Sequence, residues 1–175
     1  MATPEPWRGT LEASLRLIDA LDQEINGCER ELRRLGAHHP YVSLLQTCPG
    51  IAWVLGYTIA AELGDIARFA TPVKLTGYTG LCPKVDQSGE RDLRGPLKKN
   101  GPRYLRWGLI EAAQHAGSSH HYRGLAGRKR TQYSGPRGKK IANICVARKL
   151  TEAIWHMLTR NQPFTPAGAT PPLAA

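Results

Sequence analysis

No apolar stretch in these 175 residues approaches the length of a membrane span. The opening "MATPEPWRGTLEAS" lacks the basic-then-apolar order of a secretory leader, so a cytoplasmic address is expected. Cysteine is sparse and scattered. Cys28, Cys48, Cys82 and Cys145 form no C-x-x-C pair, which argues against a zinc knuckle, and a disulfide framework does not suit a chain of this size and address. There is no Walker-type phosphate loop, no Rossmann glycine pattern, no internal repeat and no persuasive series of strands. His120 and His121 are adjacent and His115 precedes them by five, a spacing that makes side chains diverge rather than converge on a metal. Asp86, Glu90 and Asp92 sit among bases that pair with them more simply than a cation would.

What the chain does have is a 41% hydrophobic fraction, enough for a folded globule, and a net charge of +10. The excess is concentrated. Residues 1–83 carry seven Lys/Arg and nine Asp/Glu, residues 84–140 fourteen and four, and residues 141–175 three and one. A basic run this dense is either a solubilising face or a footprint for phosphate, and the concentration favours nucleic acid. Inside it lies "KVDQSGERDLRGPLKKNG", Lys84 to Gly101, with a single serine, Ser88, followed by Gly89. That hydroxyl suits a solvated loop residue, a phosphate clamp or a nucleophile. The last requires exposure, a route for its proton and positive charge around the attacked phosphate. Arg91, Arg94, Lys98, Lys99, Arg103 and Arg106 supply such charge nearby in the chain.

Hydrophobic spacing predicts an all-α chain. Residues 1–10 read as a short disordered start. Leu11, Leu15, Ile18, Leu21, Ile25, Cys28, Leu32 and Leu35 form a near-heptad helical stripe over 11–36, which either packs on its own domain or pairs with another copy. "YVSLLQTCPGIAWVLGYTIAAELGD" reads as two helices about a "TCPGIA" turn, a helix-hairpin-helix-like element in which Ala52 stands where a second glycine is usual. Its turn chemistry suits packing and a DNA contact equally. Thr71 and Pro72 open a short helix to about Tyr78. The Lys84–Gly101 stretch is too interrupted for a helix and reads as an exposed loop or loose hairpin. A helix from Pro102 places Leu105, Leu109, Ala112, Ala113 and Ala116 on a core, with Arg103 and Arg106 together on an exposed side. "SSHHYRGLAGRKRTQYSGPRGKK" reads as a basic connector, and the last helix sets Ile141, Cys145, Leu150, Ile154 and Met157 or Leu158 at core spacing. The tail from Pro163 reads as disordered.

Four blocks then stand in order: "TCPGIAWVLGYTIAAELGD", "KLTGYTGLCPKVDQSGE", "RGPLKKNGPRYLRWGLIEAAQHA" and "GPRGKKIANICVARKLTEAIWHML". They resemble the C-terminal module of the insertion-sequence-110 transposases, the bridge-RNA-guided recombinases, across about residues 44–158. The resemblance implies a coiled-coil-like helix (11–36) and a compact helical transposase domain (44–160), and the Pro/Ala/Thr-rich composition leaves 161–175 as an expected disordered tail. It implies that Ser88 attacks a DNA phosphodiester and that strand exchange proceeds by transesterification. Arg91, Arg94, Lys98, Lys99, Arg103 and Arg106 then become candidate contacts to DNA or guide RNA, with Arg137, Lys139, Lys140, Arg148 and Lys149 weaker ones. It further implies a homo-oligomer, or docking on a full-length transposase, through the coiled coil. No cofactor is expected on this chain. Magnesium is expected only through the family's acidic nuclease-like domain, which these residues do not contain, supplied by a partner. The alternative is a non-catalytic nucleic-acid-binding or dimerisation module derived from a transposase.

Overall fold

The computed structural model describes the backbone of residues 5–88 and 91–166, and the side chains of residues 7–84 and 95–166. Among the described residues the chain is helical apart from one two-stranded sheet, as an all-α reading requires. It divides into two units, residues 1–39 and 40–175.

The first unit is a single helix, α1 (Glu5–Gly36). At 1.5 Å per residue it is about 48 Å long. It starts six residues ahead of the expected Leu11, because Pro6 suits a first helical turn rather than ending one. Ion pairs one turn apart lace its polar side: Arg8 with Glu12 at 3.1 Å, Arg33 with Glu29 at 3.1 Å and Arg34 with Glu31 at 2.6 Å. The stripe Leu11, Leu15, Ile18, Leu21 and Ile25 stays 51–53% exposed.

The second unit holds the core. Its helices are α2 (Pro40–Leu45), α3 (Trp53–Leu63), α4 (Pro72–Tyr78), α5 (Arg103–Ala116), α6 (Arg123–Tyr133) and α7 (Gly135–Arg160), with a 3₁₀ turn at Ile66–Arg68. Thr71 caps α4 as expected, its Oγ1 accepting from the Lys74 amide at 3.3 Å. Leu45, Ile59, Leu63, Leu75, Leu81, Leu105, Leu109, Leu150 and Ile154 are fully buried where α3, α5 and α7 meet under α2 and α4. The "TCPGIA" turn belongs to this packing. Gly50 (φ +83°) lies against the backbone of α5, where a Cβ would run into the Ala112 carbonyl and sit 2.9 Å from the Ala116 nitrogen. Ala52, by contrast, is exposed.

Three expectations need correction. The basic connector is largely helix: α6 takes up "RGLAGRKRTQY" and α7 begins at Gly135, because Arg, Lys and Gln are good helix formers and Pro136 falls in the first turn. Gly138 lets α7 approach α6 closely, since a Cβ there would lie 2.7 Å from the Arg130 carbonyl. The buried stripe of α7 is Ala142, Val146, Leu150, Ile154 and Leu158, so Ile141 and Cys145 are only half-buried. Finally, Phe164 is held beyond α7: its amide donates to Thr47 Oγ1 at 2.8 Å and its ring stands 6.2 Å from Tyr122.

Candidate nucleic-acid interface

The loose hairpin forms as an antiparallel pair, β1 (Pro83–Ser88) and β2 (Arg91–Leu97). Val85 pairs with Arg94, Asp86 with Leu93, Gln87 with Asp92 and Ser88 with Arg91. The register slips between Pro83 and Val85, where β2 carries Gly95 and Pro96. A proline cannot donate to the ladder, so it is tolerated at a bulge on an edge strand, and both strands here are edges. Ser88 therefore ends β1, opposite Arg91 across the two-residue connection. The side chains of Ser88, Arg91 and Arg94 lie outside the described residues.

The root of the hairpin is tightly tied. The Lys98 amide donates to the Cys82 carbonyl at 2.9 Å and the Lys99 amide to the Gly80 carbonyl at 3.2 Å. Gly80 (φ +70°) and Gly101 cross backbone to backbone, and a Cβ on Gly101 would run into the Tyr78 carbonyl and lie 2.6 Å from the Thr79 carbonyl carbon. Lys99 is left-handed (φ 55°), a conformation costing a non-glycine residue about 1–2 kcal/mol. Arg106 holds it there: Nη1 donates to the carbonyls of Lys99 and Gly101, both at 3.1 Å. Arg103 and Arg106 thus differ in kind. Arg103 is exposed, whereas Arg106 is half-buried and spends part of its guanidinium on the turn.

Lys98, Lys99 and Arg103 are exposed and have no carboxylate partner among the described residues. The first turn of α5 contains no acidic residue. The structure gathers Lys98, Lys99, Arg103 and Arg106 around the hairpin root. Arg137, Lys139 and Lys140 are exposed on a different element, the start of α7 beside α6. Lys149 pairs with Glu152 at 2.6 Å, and Arg148 is half-buried with its Nε lacking an acceptor among the described residues.

Other chemistry is sparse. Among the described residues no three His, Cys, Asp or Glu side chains are placed to hold a metal ion. All four cysteines are free, and burial pushes the Cys48 thiol up to about 12, leaving it protonated and inert. An open cleft of about 890 Å3 between the end of α7 and the segment before α6 brings His120, His121 and His156 near Lys149 and Arg160. Sequence reasoning missed it, because it depends on how the chain after α7 folds back.

Comparison with known proteins bears on the same elements. Residues 42–128 match the Transposase IS116/IS110/IS902 family, a span running from α2 through the hairpin into α6. The chain is 30% identical over 154 residues to the 44.8 kDa protein of insertion element IS116 from Streptomyces clavuligerus, covering 85% of this chain and 37% of that protein. It is 26% identical over 146 residues to the transposase for insertion sequence element IS1111A of Coxiella burnetii, covering 82% and 40%. It is 30% identical over 157 residues to the 42 kDa protein of insertion element IS900 from Mycobacterium paratuberculosis, covering 87% and 38%. The chain thus spans less than half the length of these curated relatives. Together the matches liken the chain to the Transposase IS116/IS110/IS902 family and to proteins of insertion elements.

Proposed function

We propose that this chain acts in DNA transposition as the serine-bearing module of an IS110-type transposase. Ser88 is the nucleophile, and the basic hairpin root binds the DNA strand and a guide RNA. The observation that carries the reading is the family match over residues 42–128, which encloses the hairpin ending at Ser88 and the cationic root beneath it. In the step assigned to Ser88, its oxygen bonds to phosphorus as one DNA P–O bond breaks. A phosphoserine diester and a DNA hydroxyl replace a phosphodiester and a serine hydroxyl, and the serine proton ends on the departing oxygen. Attack by a second DNA hydroxyl reverses the balance and rejoins strands without an external energy source. The role of stabilising the charge that gathers on the phosphate is assigned to Arg91 and Arg94, carried by the strand paired with that of Ser88.

Among the described residues no acidic cluster is placed to hold magnesium. Magnesium chemistry belongs to the acidic domain of a partner. The half-exposed stripe of α1 provides the means of meeting that partner: a second copy, or a full-length transposase, paired along Leu11, Leu15, Ile18, Leu21 and Ile25. Mixing the chain with a full-length relative whose serine is mutated restores strand exchange, and Ser88→Ala abolishes the rescue and the covalent protein–DNA adduct. Rescue that survives Ser88→Ala refutes the nucleophile.

The exposed apolar stripe of α1 and the unneutralised cations Lys98, Lys99 and Arg103 favour a second reading, a non-catalytic module that binds nucleic acid or pairs with intact transposase. Under it Ser88→Ala changes nothing, while Arg91→Ala with Arg94→Ala lowers DNA affinity and flattens its salt dependence.

A further inference from the structure

We infer that Tyr104 and Trp107, at the start of α5, form a stacking platform for an unpaired DNA base, with Arg103 beside them to meet the adjoining phosphate. This rests on the reading that the chain binds DNA.

Most aromatics of the second unit are committed to its interior. Phe69 is buried, and Tyr41, Trp53, Tyr57, Tyr78, Tyr122, Trp155 and Phe164 pack against the core. Tyr104 and Trp107 are instead 62% and 48% exposed. They lie three residues apart on α5, so they share one side of the helix. Among the described residues neither ring stacks on another ring. With Arg103 they line a shallow hollow of about 270 Å3. The opposite face of α5 is fully buried through Leu105, Leu109 and Ala112, and Gly108 seats against Ile59, so the platform stands on a rigid support.

Exposed Trp, Tyr and Arg also mark protein interfaces, and charge separates the two occupants. Arg103 lines the hollow with the two rings, Lys98 and Lys99 precede it closely in the chain, no described carboxylate neutralises these three charges, and Arg106 fixes the turn that carries Lys99 into the same helix. A cationic border around flat apolar surface fits a polyanion that can also offer a π-face. Paired bases are already stacked, so only an unpaired base has a face to give. Base–aromatic stacking is worth roughly 1–3 kcal/mol per base, about fivefold in affinity at the lower end and tenfold at about 1.4 kcal/mol.

The test uses the full chain and fluorescence anisotropy with four labelled probes: a paired DNA duplex, the same duplex with one bulged base, and the corresponding paired and bulged RNA duplexes. The proposal expects the bulged DNA to bind about tenfold tighter than the paired one. Tyr104→Ala with Trp107→Ala removes that preference while affinity for the paired duplex stays within about twofold and the salt slope is unchanged. Trp107→Phe retains most of the preference. Both substitutions are at exposed positions, and an unchanged melting temperature checks the fold. A preference that survives the double alanine variant, or no preference in the wild-type chain that still binds paired DNA, overturns the platform alone. A preference seen with RNA but not with DNA overturns its assignment to DNA. Failure of the wild-type chain to bind any probe refutes the DNA-binding reading, and the platform with it.

Discussion

Replacing Gly50 by alanine puts a methyl group where the structure has none to spare. Gly50 sits at φ +83°, a conformation that costs an alanine about 1–2 kcal/mol. Its new Cβ would meet the Ala112 carbonyl oxygen, approach the Ala116 nitrogen at 2.9 Å and the Ala112 carbonyl carbon at 3.2 Å. All three are backbone atoms of α5, so no side chain can swing aside and α5 must shift. Overpacking of this kind costs about 1–3 kcal/mol, and reduced freedom of the unfolded chain returns about 0.4–1 kcal/mol. The expected loss is about 1–4.5 kcal/mol, visible as a lower urea midpoint at unchanged slope. Gly135→Ala is the control: its φ is +57°, yet nothing lies within 4 Å of the added atom. It should lose only about 0–1.5 kcal/mol. The reasoning fails if the two variants unfold at the same urea concentration. It also fails if Gly50→Ala keeps wild-type stability but loses DNA affinity, which would make the turn a nucleic-acid contact after all.

Other outcomes can be checked more simply. Arg106→Ala removes two charge-assisted hydrogen bonds to the turn; it should destabilise the protein by about 1–3 kcal/mol and speed amide exchange at Lys98–Gly101, with Arg103→Ala leaving both unchanged. Leu15→Asp with Ile18→Asp should abolish self-association in sedimentation equilibrium while the melting of the second unit stays put. Thiol-reactive reagents at pH 8 should label exposed Cys28 and leave Cys48 untouched until the protein unfolds. Burial raises the Cys48 thiol from 9.0 to about 12, so its contribution to stability is complete below pH 9 and is lost as pH rises from 9 towards 12. Cys48→Ala should flatten that alkaline decline; an unchanged decline assigns it to other groups.

Local patterns in the chain determined a good deal. The heptad-like stripe of α1, the Thr71–Pro72 start of α4, the buried set Leu105, Leu109, Ala112, Ala113 and Ala116, and the concentration of charge over residues 84–140 are all legible, because each depends on neighbours within a turn or two. Composition misled at the connector before α7. Glycine and serine suggest a loop, yet "GRKR" is helix because α6 gains its stability by packing on α7, a partner no local window contains. Which residues of α7 face inward was likewise decided by its packing on α5 and α6, which buries Ala142 and Val146 and leaves Ile141 and Ile144 half-buried. The candidate site divides in the same way. The serine and the cations are visible as letters. Only the tertiary structure turns Arg106 onto the Lys99 and Gly101 carbonyls, sets Gly50 against the α5 backbone, and leaves Tyr104 and Trp107 bare beside Arg103. Hydrogen bonds and steric contacts between segments far apart in the chain have no signature in local periodicity, so they are settled only when the segments meet.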